Sequence, residues 1–124
     1  MKRTLMQVYV KNSREAVLTY QKAFDAKLGY NVKNDDGSYY HSELDVYGQI
    51  LAVAQMPDNK QTLITGNVMQ FCLHFKDTEK SCIDKAYETL KLDATILVPL
   101  GPCDFSDYMT DFIDKYGVRW CLFL

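Results

Sequence analysis

The chain has 124 residues, 48% hydrophobic and 24% charged, which suits one globular domain and excludes a disordered or fibrous chain. Fourteen Lys+Arg against sixteen Asp+Glu leave a net charge of −2, which argues against a nucleic-acid binder relying on a broad basic face. Apolar runs fall far short of the ~20 residues of a membrane span, and Gln7 and Lys11 arrive too soon for a signal-peptide core, so the expectation is a cytoplasmic protein without membrane partners.

Leu5 to Val10 reads as a strand, with Met6, Val8 and Val10 alternating with Gln7 and Tyr9. A helix follows, capped by Asn12 or Ser13, with Ala16, Val17, Tyr20, Ala23 and Phe24 on one face. Lys27 to Val32 is a short strand, and residues 34–38 (Asn-Asp-Asp-Gly-Ser) form a turn. Tyr39 to Val46 and Gln49 to Gln55 are strands joined at Tyr47-Gly48, and residues 57–66 are linker-like. The order then repeats. Asn67 to Phe75 is a strand with Gln70, Cys72 and His74 on one face. Asp77 or Thr78 caps a helix that buries Cys82, Ile83, Ala86, Tyr87 and Leu90. Strands follow at Thr95 to Leu100, Phe105 to Phe112 and Val118 to Leu124, with turns at Gly101-Pro102 and at 115–117.

Each half therefore reads βαβββ, with units at about 1–56 and 67–124 of a single 124-residue domain. Residues 10–13 (Val-Lys-Asn-Ser) match 75–78 (Phe-Lys-Asp-Thr), and a Tyr-Gly turn recurs at 47–48 and 116–117. One such unit leaves a sheet face uncovered, so two are expected to pair into an α+β fold: a curved mixed sheet with a concave cup and the helices outside.

Three stretches resemble a known family. Residues 15–26 (EAVLTYQKAFDA) resemble the E-A-x-x-F-Y-x-x-A-F-G-A helix, and residues 41–48 (HSELDVYG) resemble H-A-E-L-x-I-G-G. Phe105-Ser106-Asp107 with residues 114–120 (DKYGVRW) resembles W-G-D followed by D-P-F-G-x-R-W. All three are similar to the PhnB-like branch of the vicinal oxygen chelate superfamily, which includes glyoxalase I, bleomycin-resistance proteins and extradiol dioxygenases. The chain departs from that branch at Asp25, Phe105 and Lys115, where Gly, Trp and Pro are usual. The Phe105 change bears on ligand shape, since an aromatic at a pocket rim sets it.

The resemblance implies a tandem βαβββ fold, a homodimer and a pocket for a small organic molecule. The superfamily's metal chemistry needs one donor from each of four inner strands. Carried over by position, these fall at or near Leu5, Ala52, Gln70 and Cys121; the first two cannot ligate. No metal and no other cofactor is therefore expected. Cys72, Cys82, Cys103 and Cys121 contain no C-x-x-C pair, which argues against structural zinc, and an intracellular location favours reduced thiols. His41, Glu43, His74 and Gln70 make a conceivable alternative donor set, although a strand His is more often simply hydrogen-bonded.

The expected ligand-binding residues are His41, Glu43, Gln70, Cys72, His74, Phe105, Arg119 and Cys121, assigned by strand alternation and the pocket-rim argument. Arg119 is the cation expected to meet an anionic or oxygen-rich group. A metal-dependent lyase, isomerase or dioxygenase with rearranged ligands, and a non-catalytic interaction module, are the competing readings. No catalytic residue is assigned.

Overall fold

A computed structural model describes residues 1–57 and 64–124, so the linker-like stretch 57–66 lies mostly outside the described residues. The chain divides into two compact units, residues 1–62 and 63–124.

In the first unit the order is β1 (Met6–Val10), α1 (Ser13–Phe24), β2 (Lys27–Lys33), β3 (Tyr39–Val46) and β4 (Gln49–Gln55). The strands assemble in the order β1-β4-β3-β2, with β1 and β4 parallel and the other pairs antiparallel. Leu44 and Leu51 are register partners, as are Ser42 and Val53, and all four are buried. They form, with Val10 and Val46, the face that receives Ala16, Val17, Tyr20 and Phe24 of α1. Alternation places Gln7, Tyr9, His41, Glu43, Ala52 and Ala54 on the other face.

The start of α1 is tied to the sheet by one buried hydroxyl. Ser13 Oγ donates to Gln55 Oε1 at 2.9 Å and accepts the Tyr39 N–H at 2.8 Å, while Gln55 Nε2 donates to the Lys11 carbonyl at 2.5 Å. Asn12 supplies the cap, its Oδ1 accepting the Glu15 N–H at 3.3 Å.

The second unit repeats the plan with β5 (Phe71–His74), a 3-10 turn (Asp77–Glu79), α2 (Lys80–Leu90), β6 (Thr95–Gly101), β7 (Met109–Ile113) and β8 (Arg119–Phe123). Its order, β5-β8-β7-β6, is the same, again with the first and last strands parallel. The tandem βαβββ architecture is thus present as two four-stranded mixed sheets, each with one helix.

Four sequence expectations need correction. Strand pairing over 67–75 is confined to β5, because its partner β8 offers ladder positions only from Trp120 (opposite Phe71) to Phe123 (opposite His74). The segment 105–112 pairs only from Met109. Before that, the Cys103 N–H donates to the Ser106 carbonyl, and Ser106 Oγ donates to the Tyr108 and Leu124 carbonyls at 3.0 and 2.8 Å. A side chain bridging backbone groups in this way competes with a ladder. Neither Asp77 nor Thr78 caps α2 directly; a 3-10 turn precedes it, closed by Glu79 Oε2 accepting the Lys76 N–H at 2.9 Å. Cys82 and Tyr87 are only half-buried, whereas Ile83, Ala86 and Leu90 form the packed face.

The two Tyr-Gly turns share a topological place but differ in geometry. Tyr47 (φ 53°) and Gly48 (φ 89°) form a two-residue hairpin turn with both φ angles positive. Residues 114–118 instead reproduce the 34–38 loop. Asp114 N–H donates to Val118 O and Asn34 N–H to Ser38 O, both at 2.8 Å, with Gly117 (φ 86°) and Gly37 (φ 84°) in corresponding positions.

Candidate functional site

The helix-free face of the first sheet carries a charged cluster. Glu43 is 7% exposed and receives a bidentate pair from Arg3, Nη1 to Oε2 and Nη2 to Oε1, each at 2.8 Å. His41 Nε2 lies 3.0 Å from the same Oε1. These contacts, the Arg3 hydrogen bond first and the His41 one second, hold the Glu43 carboxyl at about 2, well below its ordinary 4.5. Two residues apart on one strand, His41 and Glu43 meet as the period predicts. Arg3 was not foreseen, because it precedes β1 and reaches a residue 40 positions away.

Beside this cluster lies a concavity of about 750 Å³, built wholly from the first unit. Tyr9, Tyr30, Tyr40 and His41 supply its aromatic lining. The three tyrosines are 50%, 67% and 69% exposed, so these rings meet solvent rather than core. Among the described lining residues Asp36 is the one carboxylate, and none is Lys or Arg. The carboxyl of Asp36 is lowered from its ordinary range, chiefly by the Ser38 hydroxyl donating to Oδ1 at 2.6 Å and then by the Ser38 N–H.

The helix-free face of the second sheet carries Cys72, His74, Asp111, Arg119, Cys121 and Phe123. Arg119 does not present a free fork. Its Nε and Nη2 bind Asp111 Oδ1 and Oδ2 at 3.0 and 2.7 Å, and its Nη1 donates to the Asn67 carbonyl at 2.7 Å. Asp111, directly opposite Cys121, takes the bidentate edge of this guanidinium. Cys72 Sγ donates to Gln70 Oε1 at 3.5 Å. Burial pushes the Cys121 thiol up to about 11.

His74 stacks on Phe123 with ring centroids 4.5 Å apart, and Phe123 meets Phe105 edge-on at 5.4 Å. Phe105 is 65% exposed, in the loop before β7, and lines a concavity of about 550 Å³ with Asp77, Asp104 and Asp107. Phe123 and Asp111 were legible by alternation, Phe123 two residues beyond Cys121 and Asp111 across from it, but neither was singled out.

No protein-family model and no curated protein matches the chain. Solved structures do. A PhnB protein from Bacillus cereus matches with TM-score 0.82 at 23% identity, covering 99% of each chain. Protein PA1353 from Pseudomonas aeruginosa matches with TM-score 0.76 at 18% identity, covering 98% of this chain and 97% of that one. A variant of the fosfomycin resistance protein FosX from Listeria monocytogenes, complexed with Mn(II) and 1S,2S-dihydroxypropylphosphonic acid, matches with TM-score 0.71 at 15% identity, covering 99% and 92%. At these identities the matches establish a shared fold.

A metal such as the one in the FosX complex would need several donors converging from the sheet. The described residues do not fit one. Among the described residues no group of three or more His, Cys, Asp and Glu is placed to hold a metal ion. Ala52 is buried on the helix-free face where a donor would be required, and Glu43 is already engaged by Arg3 and His41.

Proposed function

We propose that this protein is a PhnB-like member of the vicinal oxygen chelate superfamily that binds a small organic ligand without a metal. The observation that carries the reading is the 750 Å³ concavity with its exposed tyrosines, a size within the roughly 300–1,000 Å³ typical of small-molecule sites. Exposed rings in a concavity offer flat apolar area and π-faces, and Asp36, with no Lys or Arg among the described lining residues, favours a neutral or cationic aromatic ligand over an anion. His41 and Glu43 border this surface and orient polar groups of the ligand. Gln70, Cys72, His74, Phe105, Arg119 and Cys121 belong to the second unit's ligand-facing surface in the same reading. A homodimer accompanies it, since sixteen aromatics with several exposed favour a further interface.

A thermal-shift screen of small aromatic amines, neutral aromatics and aromatic carboxylates tests the proposal. Amines and neutral aromatics raise the melting temperature by mass action, and Tyr40→Ala weakens the best of them by about tenfold, ~1.4 kcal/mol. Stabilisation by carboxylates alone, or affinity indifferent to both Tyr9→Ala and Tyr40→Ala, would overturn it.

A further inference from the structure

Within the second sheet's ligand-facing surface, two thiols stand side by side. Cys72 of β5 and Cys121 of β8 are direct register partners on adjacent parallel strands. Partners in a parallel pair point to the same face, and neighbouring strands lie ~4.8 Å apart, inside the ~4.4–6.8 Å range of Cα separations that a disulfide spans. Cys72 is exposed and Cys121 is 7% exposed, so one sulfur meets solvent while the other waits behind it.

We propose that Cys72 and Cys121 form a reversible cross-strand disulfide, closed by a hydroperoxide. The Cys72 thiolate attacks the terminal peroxide oxygen, forming an S–O bond, breaking the O–O bond and leaving a sulfenic acid; the departing oxygen is released as water or an alcohol. Cys121 then attacks the Cys72 sulfur, giving up its proton as the sulfenic oxygen leaves as water. Two thiols lose two electrons in all, and one hydroperoxide is reduced by two. A dithiol reductant reverses the step by exchange. The division of labour follows from exposure: Cys72 is reached by the oxidant, and Cys121 resolves the sulfenic acid before further oxidation. Such transient disulfides occur in reducing compartments, where permanent ones are rare.

Trypsin separates the partners, because Cys72 falls in peptide 61–76, Cys82 in 81–85, Cys103 in 92–115 and Cys121 in 120–124. The protein is treated with hydrogen peroxide, alkylated under denaturing conditions, digested and analysed by mass spectrometry. The expected result is a species joining 61–76 to 120–124 at a mass two hydrogens below their sum, with titratable thiols falling from four to two. Dithiothreitol restores all four. Cys103→Ser leaves the cross-link intact, whereas Cys72→Ser and Cys121→Ser each abolish it and differ in sequel: only Cys121→Ser accumulates sulfenic acid. A link from Cys72 to Cys103, a link between two chains on a non-reducing gel, or sulfinic acid at Cys72 with Cys121 still alkylated would overturn the proposal.

Discussion

Asp114 holds three donors on one carboxylate. Oδ1 accepts the Tyr116 and Val118 N–H groups at 2.9 and 3.0 Å, and Oδ2 accepts the indole Nε1–H of fully buried Trp120 at 2.9 Å. Asp114→Ala leaves those donors without this acceptor in a buried place, and a loss of about 1–3 kcal/mol or more is expected in urea unfolding. The family-like stretch 114–120 is thereby explained in part as a hairpin-and-core device. Glu43 makes a different prediction. Its folded-state carboxyl sits near 2 against an ordinary 4.5, so the ionised form is the stabilised one. That contribution is complete above about pH 4.5 and is lost as pH falls through the 4.5-to-2 window. Denaturation midpoints of wild type and Glu43→Gln measured across that window should converge as the pH drops; parallel curves would contradict the assignment.

Glycine matters where an element must turn with positive φ. Gly48 and Gly117 both have it, yet their surroundings differ. A Cβ at Gly48 would meet nothing within 4 Å, whereas at Gly117 it would lie 2.9 Å from Thr65 Oγ1. Both Ala substitutions incur a backbone cost of roughly 1 kcal/mol, and Gly117→Ala adds the clash, so it should be the less stable variant in parallel melts. Helix α2 is anchored by a hydrogen bond from the Tyr108 hydroxyl to Asp84 Oδ1. That carboxylate, with burial second, pushes the phenol up to about 12 from an ordinary 10. A raised folded-state value means the tether stabilises below pH 10 and fails as pH rises from 10 to 12. Ultraviolet titration should show Tyr108 ionising late, and its transition should move back down in Asp84→Asn.

Light scattering should give a species of twice the chain's 14.3 kDa; a concentration-independent monomer would refute the dimer. The pocket proposal carries a structural control. Leu44→Ala, under α1 and away from the concavity, should cost about 2–5 kcal/mol of stability while leaving the affinity of the remaining folded protein unchanged.

The elements and their repeat were legible in the sequence, because alternation, helical spacing and the Asn12 cap are local signals. β3 and β4 have the expected ends, and α1 begins at its expected cap. Ser106 defeated the same reasoning at 105–108, since its buried hydroxyl takes partners a strand reading assigns to the ladder. Face assignments were equally local, so His41 with Glu43 and Cys72 with Cys121 could be placed on common sides. Pairing is not local. Arg3 reaching Glu43 across 40 positions, and Asp111 occupying Arg119, depend on register between strands and on a segment outside any element. Periodicity names the face on which a charge stands; only the folded chain decides which charges meet, because that depends on distances no sequence spacing encodes.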